Sequence, residues 1–113
     1  DKGGLLGSAQ AIIWAATGEP AKAKSAIAVA REKRGFGHFH HTEYNIACAY
    51  ALMNERDAAL EWFVKAVHEG FNCYPLFEKD PGLANLREVE RFKSMLGEER
   101  RKWESYKAQF GAA

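Results

Sequence analysis

Cysteine is scarce in this chain, and its scarcity already excludes a good deal. Cys48 and Cys73 are the only two in 113 residues, and neither stands in a CxxC pair. They cannot frame a disulfide scaffold, and a reducing, cytoplasmic setting is the default expectation. Cys48 falls in a stripe of small residues, where a free thiol behaves as a small apolar group. Long apolar runs are also missing. Nothing approaches the roughly 18 consecutive residues that mark a membrane-crossing helix, and no signal peptide is visible. The chain begins at Asp1 rather than Met, so it is expected to be processed or cut from something longer. The missing membrane segment then describes this stretch alone.

Charge of one sign is lacking too. The formal net charge is +1, which gives no global field toward nucleic acid or an acidic membrane surface. The distribution is uneven: residues 1–41 carry +3, residues 42–80 carry −4 and residues 81–113 carry +2. The basic run Arg100-Arg101-Lys102 is flanked by Glu98, Glu99 and Glu104, a pattern for salt-bridged helix rather than nucleic-acid contact. Signatures of common enzyme chemistry (GxGxxG, P-loop, GxSxG, HExxH) do not occur. No segment alternates apolar and polar residues as a half-buried strand would.

What is present is helical periodicity. Apolar content of 47% and charged content of 27% suit one globular domain with a single core. The spacing predicts a helix from Leu5 to Thr17, stopped by Gly18, and a second from Pro20 to Lys33 that buries Ala23, Ile27 and Ala30. Arg34-Gly35-Phe36-Gly37 breaks the pattern as a loop. A third helix runs from His40–Thr42 to Met53, with Thr42 read as a cap. A turn follows at Asn54–Asp57, where Asn54 suits a left-handed conformation. Helix four covers Asp57 to Glu69, and Gly70 ends it. Residues 71–79 read as irregular. Asp80-Pro81 opens a helical turn through Leu86, with Asp80 as its cap. The final helix spans Arg87 to Gln109 with the stripe Phe92, Met95, Leu96, Trp103, Tyr106 and Phe110 on one face, interrupted by Gly97.

The two helix pairs are one unit used twice. Ala11 and Ala47, Trp14 and Tyr50, Gly18 and Asn54, Ala23 and Ala59, Ile27 and Phe63, and Ala30 and Ala66 all share an offset of 36. Small matches small and large matches large. The second unit resembles a tetratricopeptide repeat, whose signature W-x2-L-G-x2-Y then A-x3-F is met here by Glu43, Ile46, Ala47, Tyr50, Ala59 and Phe63. Glu43 stands where the family has its opening aromatic, with Tyr44 beside it to supply bulk. The first unit keeps the small positions and has Gly7 and Gln10 at two large ones. The offset exceeds the family's unit of about 34, which places two extra residues in the Gly35–Phe39 loop. The tail, Phe77-x2-Asp80-Pro81-x-Leu83-x2-Leu86-Arg87-x4-Phe92-x2-Met95-Leu96, is similar to the segment that closes tetratricopeptide regions in many bacterial signalling and regulatory proteins.

The resemblance implies an all-α superhelix in a single domain over residues 1–113: repeat one over about 4–37, repeat two over about 40–72, and a C-terminal helical cap over about 73–110. It also implies protein or peptide recognition without catalysis, cofactor or metal, within a larger bacterial protein. The concave face that it assigns to a partner comprises Leu5, Ser8, Ile12 and Ala15 in unit one. In unit two it comprises His41, Tyr44, Asn45, Cys48, Ala51 and Leu52. The carboxylate clamp found on this face in some relatives has Asn45 at one matching position, but Ser8 and Ile12 stand where its other residues belong. Three states of the groove remain open: free for a partner, filled by the chain's own terminal helix, or used to form a homodimer, for which the terminal helix is an alternative surface. His38, His40 and His41 form a histidine cluster, but no carboxylate or thiol stands at ligand spacing, and His68 is remote.

Overall fold

A computed structural model describes residues 1–35 and 39–111. It is all-helical: α1 (Leu5–Ala16), α2 (Pro20–Arg31), α3 (Phe39–Leu52), α4 (Arg56–His68), α5 (Tyr74–Lys79), a 3-10 helix (Pro81–Leu86) and α6 (Glu90–Phe110). Helices α1 and α2 form one antiparallel hairpin, and α3 and α4 a second. Helix α1 also lies along α3, and the 3-10 helix lies along the other flank of α3. The shortest dimension, 20 Å, is that of two helix layers.

The repeat is present in the packing as well as in the sequence. Ala11 and Ala47, Ala23 and Ala59, and Ala30 and Ala66 are each at most 1% exposed, as are Ile27 and Phe63. Alanine at these sites lets the paired backbones approach closely, to about 8–10 Å between axes. Gly18 and Asn54, also equivalent, both take positive φ, 79° and 61°, and so reverse the chain between the helices of each pair. Gly4 precedes α1 at φ 74°, and an added Cβ would lie 2.9 Å from the Ala30 carbonyl oxygen. The start of the first helix is therefore pressed against the end of the second.

Two expectations change, and a point left open by the sequence, the effect of Gly97 on the last helix, is decided. Thr42 is not a cap: α3 begins at Phe39, which is buried, and Thr42 is a fully buried residue of the first turn. Its hydroxyl donates to the Gly3 carbonyl and ties α3 to the entry of α1. Residues 71–79 are not wholly irregular, because Tyr74–Lys79 forms α5 with Pro75 in its first turn, where a missing N–H costs nothing. Gly97 does not divide the last helix, which is continuous across it. The loop expected over residues 34–37, and the insertion ascribed to Gly35–Phe39, fall largely on residues 36–38 and lie outside the described residues.

An aromatic cluster joins the second hairpin to the tail. The ring of Phe63 lies 4.9 Å from that of Phe77 and 5.2 Å from that of Phe92, each in an edge-to-face arrangement. Tyr44 stacks on Phe71 at 4.6 Å. Phe63, Phe77, Leu83, Leu86 and Phe92 are fully buried, each worth about 1.5–3 kcal/mol of burial. Arg87 donates to the carbonyls of Phe77 and Asp80, both at 2.9 Å, closing the C-terminal end of α5. Among the described residues no helix is long and apolar enough to cross a membrane.

Candidate functional site

The face assigned to a partner divides into a covered part and an open part. Tyr44, Cys48 and Ala51 recur every three to four residues along α3 and point toward the 3-10 helix; they are 5%, 2% and 0% exposed. The repeat pattern assigns these three to a partner's groove. They are core instead, because the chain supplies its own cover, in the form of the short helices at Tyr74–Leu86 rather than the terminal helix. Trp103 sits beside Tyr74, with ring centroids 6.2 Å apart, and Tyr106 and Phe110 are largely exposed on the far half of α6.

Asp80 fastens this cover. Its Oδ1 accepts from the Gly82 N–H at 2.8 Å, capping the 3-10 helix. Its Oδ2 accepts from the Tyr44 hydroxyl at 2.5 Å and lies 3.8 Å from the Cys48 thiol. Gly82 fits against Cys48 so closely that a Cβ would meet its side chain at 3.1 Å. Asn85 donates to the Ala51 carbonyl at 2.7 Å. Burial first, and then the Asp80 charge, push the Cys48 thiol up to about 12. It therefore stays protonated and inert, unlike a nucleophilic cysteine. Burial also raises the Tyr44 phenol well above its usual range. From sequence, Asp80 is legible as a cap; its bonds across to Tyr44 and Cys48 are not.

The open part runs along the α1–α3 edge. Leu5 is 53% exposed; Ile12, Asn45 and Leu52 are half-buried, and His41 is exposed. Ser8 and Ala15 are buried between the helices. Ser8 donates to the Leu5 carbonyl at 2.9 Å and accepts from the Asn45 amide at 3.1 Å, which holds Asn45 in one orientation. The His41 ring packs edge-on against Phe71 at 5.1 Å and lies 4.4 Å from that of His40. His38 falls outside the described residues. Among the described residues no three His, Cys, Asp or Glu side chains converge as a metal site would require.

Glu43, which in the repeat pattern merely replaces an aromatic, is a carboxyl in the core. It is fully buried, and among the described residues neither carboxylate oxygen has a partner within hydrogen-bond geometry. Burial, and then the neighbouring Glu69 carboxylate, push its carboxyl up to about 7 against the opposing pull of Arg34 and Lys65. Arg34 itself pairs with Glu69 at 2.9 Å. The signal is in the spacing: Glu43 follows Phe39 by four and precedes Ala47 by four, so it lies on the buried stripe of α3.

A second concavity, of about 390 Å³, is bounded by Asn72, Glu99, Lys102, Trp103 and Tyr106. Glu99 is buried there and pairs with Lys102 at 3.1 Å. Compared with protein-family models, curated proteins and solved structures, the chain matches none.

Proposed function

We propose that this chain is a binding module of tetratricopeptide kind, taking a protein or peptide partner along the α1–α3 edge and serving within a larger bacterial regulatory or signalling protein. It performs no chemistry of its own. The observation that carries this reading is the open strip of Leu5, Ile12 and Leu52 beside the polar groups His41 and Asn45. The strip lies on two helices that pack side by side and are joined by the Asn45–Ser8 bond. A rigid, mostly apolar strip with a few fixed polar groups favours an extended or helical peptide, since the surface has little conformational freedom to lose on binding. The strip is narrower than the one inferred from the repeat pattern, because Tyr44, Cys48 and Ala51 belong to the core and Ser8 and Ala15 are buried between the helices.

Charged substitutions on the strip test the reading. Leu5→Glu and Leu52→Glu fall on exposed or half-buried sites, so each variant is expected to keep its helical circular dichroism. Each is also expected to lose the partners that the parent protein captures from a bacterial lysate. Capture of the same partners by both variants would overturn the assignment of this edge.

A further inference from the structure

We propose that Glu43 is a proton-controlled switch: when its carboxyl ionises, the Arg34 guanidinium turns inward from Glu69 to meet it, and the tie between the ends of the two hairpins is remade. Glu43 lies wholly inside the protein, and among the described residues neither carboxyl oxygen has a partner. A neutral acid tolerates such a place far better than an anion does, because a buried charge persists only when it is paired and hydrogen-bonded. The neighbouring carboxylate, Glu69, can only repel a second negative charge. Loss of the Glu43 proton to solvent therefore requires that a cation come to it or that the core open.

Arg34 is the cation placed to come. Lys65 also acts on Glu43, but it stands within α4 and is already engaged, 4.3 Å from the centre of the Trp62 ring and 3.6 Å from Glu61. Arg34 lies beyond the end of α2 at Arg31, in a turn, so it can be redirected without unwinding a helix. It gives Glu69 a single bond of 2.9 Å, and a guanidinium has five N–H donors. The side chains of that pair are 62% and 37% exposed, and ion pairs so placed contribute little to stability. Exchanging Glu69 for a buried anion thus gives up little and relieves the larger cost. The other elements around Glu43 offer no charge: residues 5–18 of the first helix and its flank contain none, and neither does the 3-10 helix Pro81–Leu86. On α3 itself His40 stands one turn earlier, with its ring against those of His41 and Phe71.

The exchange falls near neutral pH, where burial, and then Glu69, set the Glu43 titration at about 7. Below it Arg34 joins the turn after α2 to Glu69, the residue that closes α4. Above it Arg34 joins the same turn to α3, and Glu69 is released. Glu69 lies two residues before Phe71, whose ring stacks on Tyr44 at 4.6 Å and meets His41 edge-on at 5.1 Å. The released segment therefore leads to the polar end of the α1–α3 edge. The switch itself holds whether or not that edge takes a partner, and its test needs none.

Carbon-detected NMR of the full chain from about pH 5 to about pH 9 reads both groups at once. The Glu43 carboxyl carbon is expected to titrate near neutrality, and the Arg34 guanidinium carbon to shift with the same midpoint, while helical circular dichroism stays constant. In Glu43→Gln, which keeps His40 and His41, the Arg34 shift is expected to vanish. Arg34→Gln, at an exposed site, is expected to raise the Glu43 midpoint, and Lys65→Met to leave the Arg34 shift in place. A Glu43 carboxyl that does not titrate in this range overturns the proposal, as does one that titrates while Arg34 is unmoved. An Arg34 shift that persists in Glu43→Gln overturns it too, because the histidines would then be its source. Loss of helical signal across the range would mean that Glu43 ionises by opening of the core, and would also overturn it.

Discussion

At the scale of single residues, Glu43 makes stability depend on pH in a direction opposite to that of a salt-bridged acid. Its carboxyl titrates at about 7 in the folded chain against an ordinary 4.5, so the folded protein holds the proton more tightly than the unfolded one. Stability from the neutral acid is fully present below the unfolded value and is lost as pH rises through the folded one. The gap from 4.5 to about 7 corresponds to at most about 3 kcal/mol, reduced by solvent screening around the exposed Arg34 and Glu69. Denaturation midpoints are expected to fall from about pH 5 to about pH 8 by up to that amount. Glu43→Gln, which keeps the shape and removes the charge, is expected to flatten the profile and to raise stability at the alkaline end. A midpoint that rises with pH across this range would show that Glu43 is ionised in the fold. The groups that set its value lie on different elements: Glu69 and Lys65 at the end of α4, and Arg34 after α2. Its position on the buried stripe is readable from spacing, whereas the company it keeps is not.

At the scale of elements, the helices are largely legible in advance because each carries its own local signals. Pro20 and Pro81 open helices, Gly18, Asn54 and Gly70 take positive φ at helix ends, and apolar residues recur with helical period between them. Helix α5 escapes because a six-residue helix is too short for a period to show, and Pro75 reads as a breaker unless its place in the first turn is known. Gly97 escapes for the opposite reason. A glycine costs a helix roughly 1 kcal/mol, which a 21-residue helix with Phe92 buried at its base tolerates. Since Gly97 has ordinary helical geometry and a Cβ there would meet only the tip of Arg101 at 3.6 Å, Gly97→Ala is expected to stabilise the protein by about 0.5–1 kcal/mol. A raised thermal midpoint would confirm it; a lowered one would mean that the helix needs flexibility at this point.

At the scale of the whole molecule, the decisive contact is between the second hairpin and the tail. It converts Tyr44, Cys48 and Ala51 from a groove into a core, and leaves Cys48 buried while Cys73 is exposed. A thiol reagent is accordingly expected to label Cys73 rapidly in the folded chain, and Cys48 only after denaturant is added. Rapid labelling of both under native conditions would mean that the short helices lift readily from α3. The same contact confines the proposed partner surface to the α1–α3 edge and leaves the outer face of α1 as the large uncovered apolar area of the first hairpin.

The sequence by itself determined the helical class, the register of 36 between the two hairpins, the alanine seams and the cap at Asp80. These are local or periodic properties, written in spacings of three, four and seven and in residues with special backbone preferences. Only the tertiary structure decided which face of α3 remains open, that Glu43 is buried beside Glu69, and that α6 carries Tyr106 and Phe110 away from the groove. Each of these depends on residues about 25 or more positions apart meeting in space, and no periodicity along a single chain specifies which of two apolar faces the next segment will cover.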